Sequence, residues 1–118
     1  VGAKDAVGGY GERVAVRHLQ QAGMTVLARN WRCEHGELDI VARDGDCLVV
    51  CEVKTRRSLA SGHPLEAVTP VKVARLRRLA AAWMSAHGVR PRDVRLDVVA
   101  VLRPLRGPAV VEHLRAVG

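Results

Sequence analysis

The sequence predicts a single α/β domain over residues 1–118, built on a central mixed five-stranded sheet flanked by helices in the order α-β-β-β-α-β-β. Three observations lead there. Two stretches place apolar residues at helical spacing, and five short runs rich in Val, Leu and Ile stand between and after them. One of those runs, CLVVCEV, is nearly continuous in apolar residues, as a strand covered on both faces must be. Finally, 118 residues with 48% apolar and 26% charged side chains match one ordinary globular domain of about 100 to 150 residues.

The first helix is read from the segment ERVAVRHLQQAG, after Gly8, Gly9 and Gly11, with Val16 and Leu19 on one stripe and Gly23 as the C-capping residue. MTVLARNWR follows as a strand. A second strand is expected from Glu37 to Arg43, a turn over Asp44 to Asp46, and a third strand from Cys47 to Arg56, the three forming a meander. The polar stretch 58–68, with Gly62 and Pro64, reads as a long surface loop. Thr69 as N-cap and Pro70 at the first helical position open the second helix. Val73, Leu76, Ala80 and Trp83 give its apolar face, and Gly88 closes it. VRLDVVAVL and AVVEHL, separated by the Pro104–Pro108 loop, complete the sheet.

Nineteen Lys and Arg against twelve Asp and Glu give a net charge of +7, which favours a polyanionic partner, nucleic acid first. No apolar run approaches the roughly 20 residues that span a bilayer. VGAKDAVGGYGER carries no apolar signal core, and Cys33, Cys47 and Cys51 form neither an even set nor a CxxC pair, so reduced thiols and a cytoplasmic location are expected. With His35 these thiols match no common zinc spacing.

Charged residues interrupt the second and third strands at Asp39, Glu52 and Lys54. Alternation puts Glu52 and Lys54 on one face. Asp39 joins them if the hairpin loop has an even number of residues, and a three-residue loop separates them. Glu37 shares the face of Asp39 by parity, with its reach undecided. Two neighbouring carboxylates in a half-buried setting need a positive partner: Lys54 in an ion pair is one, and a divalent cation is another. Mg²⁺ or Mn²⁺ suits hard oxygen ligands such as these, joined by a backbone carbonyl like that of Val53 and by water. Glu12 lies on the stripe of Val16 and Leu19, facing the sheet; the same position also fits the first helical turn, where the dipole favours an acid.

GYGERVAVRHLQQAGMTVLARNWRCEHGELDIVARDGDCLVVCEVKTR, AVTPVKVARLRRLAAAWM, VRLDVVAV and VEHLRAVG resemble the bacterial YraN family, from about Gly8 to the C-terminus. That family is similar in fold and motif to the archaeal Holliday junction resolvases and to the restriction-endonuclease-like nucleases with a D…(D/E)xK signature. The resemblance implies a restriction-endonuclease-like fold and Mg²⁺ held by Asp39 and Glu52, with Glu12 from the first helix as a further ligand or a group orienting water. It implies Lys54 as the group that positions the attacking water or offsets charge on the phosphate. Leu38 stands where the superfamily's nominal motif has Pro. The implied reaction is metal-dependent hydrolysis of phosphodiester bonds in DNA, branched or junction DNA included, by a homodimer.

Lys72 and Arg75 share a helical face, flanked by Arg77 and Arg78, and Arg56 and Arg57 lead out of the third strand; Arg56, Arg57, Lys72, Arg75 and Arg78 are the candidate phosphate contacts. The same residues also suit the solvated side of an amphipathic helix. Tyr10, Trp31 and Trp83 are the only aromatics, too few for a base-stacking platform, and Trp83 falls on the apolar stripe. Asp97 and Arg95 are read as a structural pair. Two other functions fit the composition: a nucleic-acid-binding protein of the same fold without cleavage, and an interaction protein docking on an acidic protein.

Overall fold

In the computed structural model, which describes residues 3–57, 63, 66 and 68–118, the chain runs α1 (Ala3–Gln21), β1 (Thr25–Cys33), β2 (Gly36–Asp44), β3 (Cys47–Arg56), α2 (Pro70–His87), β4 (Asp93–Leu102) and β5 (Val110–Leu114). The strands form one sheet in the order β1-β2-β3-β4-β5. The meander β1-β2-β3 is antiparallel, β3 and β4 pair in parallel across the α2 crossover, and β5 returns antiparallel to β4. The sheet is thus mixed, as the sequence predicts.

Helix α1 covers one face. Ala15 and Leu19 pack there against Ile40, Ala42, Val49, Cys51, Val99 and Val101. On the other face, Leu76, Leu79, Ala80 and Trp83 of α2 pack against Val41, Leu48, Val50 and Leu96. Strand β3 sends Val49 and Cys51 one way and Leu48 and Val50 the other, which is why its sequence does not alternate between apolar and polar. Trp83 lies in the core, as its place on the stripe predicts.

The ends of both helices follow local chemistry. Met24 N–H bonds Leu19 O and Gly23 N–H bonds Gln20 O around Gly23 at φ +92°, a Schellman closure of α1. The Thr69 side chain accepts from Lys72 N–H at 3.2 Å with Pro70 following, and Gly88 at φ +64° terminates α2.

Two expectations are corrected. The first helix starts at Ala3 and runs through Gly8, Gly9 and Gly11, so Glu12 is in mid-helix and its first-turn reading fails. The hairpin turn is the two-residue Gly45–Asp46, with Asp44 paired to Cys47 inside the ladder. Gly45 has φ +60°, the conformation a type II′ turn asks of its first central residue. Most of the expected 58–68 loop lies outside the described residues.

Gly11 shows why a glycine stands inside α1: a Cβ there would overlap the Thr55 hydroxyl of β3. In an isolated helix Gly→Ala gains about 1 kcal/mol. Here Gly11→Ala is expected to lower stability by about 1–3 kcal/mol, the range for forcing extra volume into a packed contact, read as a fall in the urea midpoint at unchanged m-value.

Candidate active site

The β2–β3 ladder ends at Ile40↔Cys51. One step further along the same register Asp39 lies across from Glu52, as an even hairpin loop requires. The strands part here. The N–H of Val53, left without a ladder partner on β2, donates to Asp39 Oδ2 at 2.9 Å.

Burial raises the Asp39 carboxyl to about 6, and the neighbouring Glu52 carboxylate adds to the rise; the Val53 N–H and Lys54 oppose it. Glu52 is answered by two cations on one oxygen. Lys72 Nζ stands 2.8 Å and Lys54 Nζ 3.6 Å from Glu52 Oε1. Burial and the adjacent Lys72 lower the Lys54 pKa. Burial works against the charge of Lys72 as well, but its bond to Glu52 outweighs this and raises its pKa. With Val73 and Leu76, the three side chains Glu52, Lys54 and Lys72 line a small cavity between α2 and the sheet.

The other expected residues lie apart from this group. Glu12 is buried on the α1 face, where Arg29 Nε donates to Oε1 and Asn30 Nδ2 to Oε2, both at 2.7 Å. Glu37 pairs with Arg32 at 3.0 Å and adds only a minor repulsion at Asp39. Among the described residues no three His, Cys, Asp or Glu side chains converge to hold a metal ion, so Asp39 and Glu52 stand as a pair. That pair still fits a hard cation: Mg²⁺ is commonly held by one or two carboxylates and completes its shell with water and phosphate oxygens. Lys54 and Lys72 already answer the charge on Glu52 Oε1, so an ion at this oxygen would compete with an ammonium for it.

Arg57, Arg75 and Arg78 are exposed, Arg75 beside Gly36 at the β1–β2 turn. Arg56 is half-buried. Lys72 departs most from the expected phosphate-facing row, because it turns inward to Glu52. The helical period gave its angle on α2 but not what lies opposite, and the one available signal was a lysine in a first turn that has no acid.

Asp97 takes no part. Its buried side chain receives Arg95 at 2.9 and 3.0 Å, His113 Nε2 at 2.7 Å and the N–H of Ala116 at 3.0 Å. Burial opposes its ionisation, yet these donors hold its pKa below the usual value. His18 extends the chain of contacts, 3.1 Å from His113 Nδ1. The two histidines carry no sequence motif, and β4–β5 pairing together with α1 packing brings them together.

The family model described as "Uncharacterised protein family UPF0102" matches residues 11–101. A UPF0102 protein of Kineococcus radiotolerans is 71% identical over 99% of this chain and 97% of its own length. One from Beutenbergia cavernae is 66% identical over 98% of both chains, and one from Streptomyces coelicolor 62% identical over 98% of this chain and 90% of its own.

Asp39 sets a pH dependence of known sign. An aspartate titrates near 3.8 when unperturbed and near 6 in this fold, so the folded chain holds the proton more tightly between those values. The group therefore weakens the fold as pH rises through that window, and the loss is complete above about pH 7. In EDTA, Asp39→Asn is expected to raise stability at about pH 7.5 by about 1–3 kcal/mol, with the gain over wild type vanishing towards about pH 4 in urea denaturation.

Proposed function

The chain belongs to the UPF0102 family, and from that premise and its carboxylate pair we propose a metal-dependent endonuclease that hydrolyses phosphodiester bonds of DNA, branched DNA included. The observation that carries this is the grouping, where β2 and β3 part, of Asp39, Glu52 and two lysines around one carboxylate oxygen. Mg²⁺ or Mn²⁺ held there would polarise a phosphoryl oxygen and ease deprotonation of a water. Asp39 and Glu52 are the residues that would hold it.

Lys54 projects on the same face as Glu52, where its ammonium can orient the attacking water and balance charge building on the phosphoryl oxygens. Glu12, with both oxygens engaged by Arg29 and Asn30, serves as a positioning group that ties α1 to β1 beside the site. The exposed Arg57, Arg75 and Arg78 grip the flanking phosphates. Paired cuts in a junction take two such sites, hence two copies of the chain. Reduced thiols suit a cytoplasmic protein.

The test is incubation of the purified protein with linear, flapped and four-way DNA in Mg²⁺, Mn²⁺ or EDTA. Cleavage is expected with metal only, falling about a hundredfold or more in Asp39→Ala and Glu52→Ala. Cleavage that survives both substitutions removes the enzyme from the proposal.

Binding to a duplex should weaken with salt, log K falling against log[salt] by about 0.9 per phosphate neutralised, and Arg75→Ala should reduce that slope by about 1. Salt-dependent binding without cleavage would mark a non-cleaving nucleic-acid-binding protein. A flat salt response would point to an acidic protein partner instead.

A further inference from the structure

Lys72 stands where helix physics argues against it. It lies in the first turn of α2, a turn with no acidic residue. The N-terminal end of a helix favours negative charge, so an ammonium there is held against the local dipole. What compensates is Glu52, whose Oε1 lies 2.8 Å from Lys72 Nζ, while Lys54 Nζ waits at 3.6 Å from the same oxygen. Lys72 Nζ therefore occupies the carboxylate that the proposed function assigns to the divalent ion.

A divalent ion that engages Oε1 of Glu52 competes with Lys72 for the lone pairs of that oxygen. Lysine suits an exchange: its ammonium is a compact point charge on a flexible four-carbon stem, and its side chain keeps 32% exposure. The root of that stem stays fixed, because Leu76 and Leu79 anchor α2 on the sheet. Charge points the same way. With Asp39 and Glu52 ionised and both lysines charged, the group is formally neutral; a divalent ion makes it cationic and frees one ammonium for an anion.

We propose that Lys72 is an exchangeable counter-ion, which holds Glu52 until a divalent cation takes that carboxylate and then swings out to meet a phosphodiester oxygen. The inference rests on the proposed function for the identity of the site. It goes beyond it in making attraction of the substrate phosphate conditional on ion loading.

The experiment measures Mn²⁺ affinity by electron paramagnetic resonance on the full chain. Lys72→Met is expected to bind Mn²⁺ about tenfold more tightly than wild type, the scale of effect seen for groups that touch a metal ligand. Arg17→Met removes the same charge from the exposed side of α1, where solvent screens it, and is expected to change affinity by no more than about twofold. Equal tightening in the two variants overturns the inference, since bulk electrostatics would then account for both.

A second measurement needs no Lys72 variant. Acetylation of wild type, followed residue by residue by mass spectrometry, should speed up at Lys72 when Mg²⁺ is added and slow again when a short DNA duplex follows. Unchanged Lys72 labelling, in a protein whose Mn²⁺ binding is lost in Asp39→Asn, overturns the exchange and leaves the metal site standing. Mn²⁺ binding to neither wild type nor Lys72→Met overturns both.

Discussion

The hydrogen bond from Val53 N–H to Asp39 Oδ2 marks the place where a sheet becomes a site. A backbone donor at a parting pair of strands must find an acceptor or suffer the cost of an unmet hydrogen bond. Asp39 supplies it only because the turn at Gly45–Asp46 has two residues. One residue more or less would send Asp39 to the opposite face of β2 from Glu52. The irregularity is visible in the packing. Leu38 and Val41 both join the cluster under α2, whereas Ile40 between them joins the one under α1, so the alternation of β2 slips at Asp39. Across on β1, Asn30 adopts φ +50°, a conformation asparagine tolerates, and its amide reaches Glu12.

Two aspartates of this fold show opposite environments. Asp97 is fully supplied: a bidentate arginine, a histidine and a backbone N–H keep it charged although its side chain is buried. It fastens β4 to β5 and to the C-terminal residues, and its pKa falls. Asp39 has one backbone donor and a carboxylate for a neighbour, and its pKa rises to about 6. A well-satisfied acid contributes to stability, whereas a poorly satisfied one beside a second acid is what a cation-dependent reaction calls for. Residue type alone does not separate them, since both sit within apolar strands.

Much of the frame could be read from the chain because local rules governed it. Thr69, Pro70 and Gly88 delimit α2 as their chemistry demands, and the uninterrupted apolar run of β3 announced its two covered faces. Asp39, Glu52 and Lys54 were legible through alternation, once the parity of the turn was known. The start of α1 was not, because glycines weaken a helix and read as its boundary; Gly11 is kept for close approach to Thr55, a reason that lies in the tertiary structure. Glu12 was placed on the correct face, but its engagement by Arg29 and Asn30 depends on a backbone twist at Asn30 that no periodicity reports. Lys72 was misplaced on the solvent side because a helical wheel gives an angle and omits the strand beneath.

Topology explains why the carboxylates and lysines gather at this end of the sheet. Strands β3 and β4 run parallel, so α2 must begin near the carboxyl end of β3, and its N-terminus brings the partial positive charge of its dipole to where Glu52, Lys54 and Arg57 emerge. Open sheets with parallel strands place ligands at this end for the same reason. The wide cleft of about 430 Å³ lies at the other end, lined by Leu27, Arg43, Asp46, Leu48, Arg90 and Arg92. Its wall on β3, Leu48, is four residues from Glu52, roughly 13 Å along the strand. There α2 ends, and the arginines at 90 and 92 follow the negative end of its dipole, which accounts for their charge without a ligand. Size favours that cleft, but paired carboxylates, convergent ammoniums and a helix N-terminus occur together only beside Glu52 among the described residues. The positive end of α2 and the paired acids therefore meet in one place, the end of the sheet where β2 and β3 part.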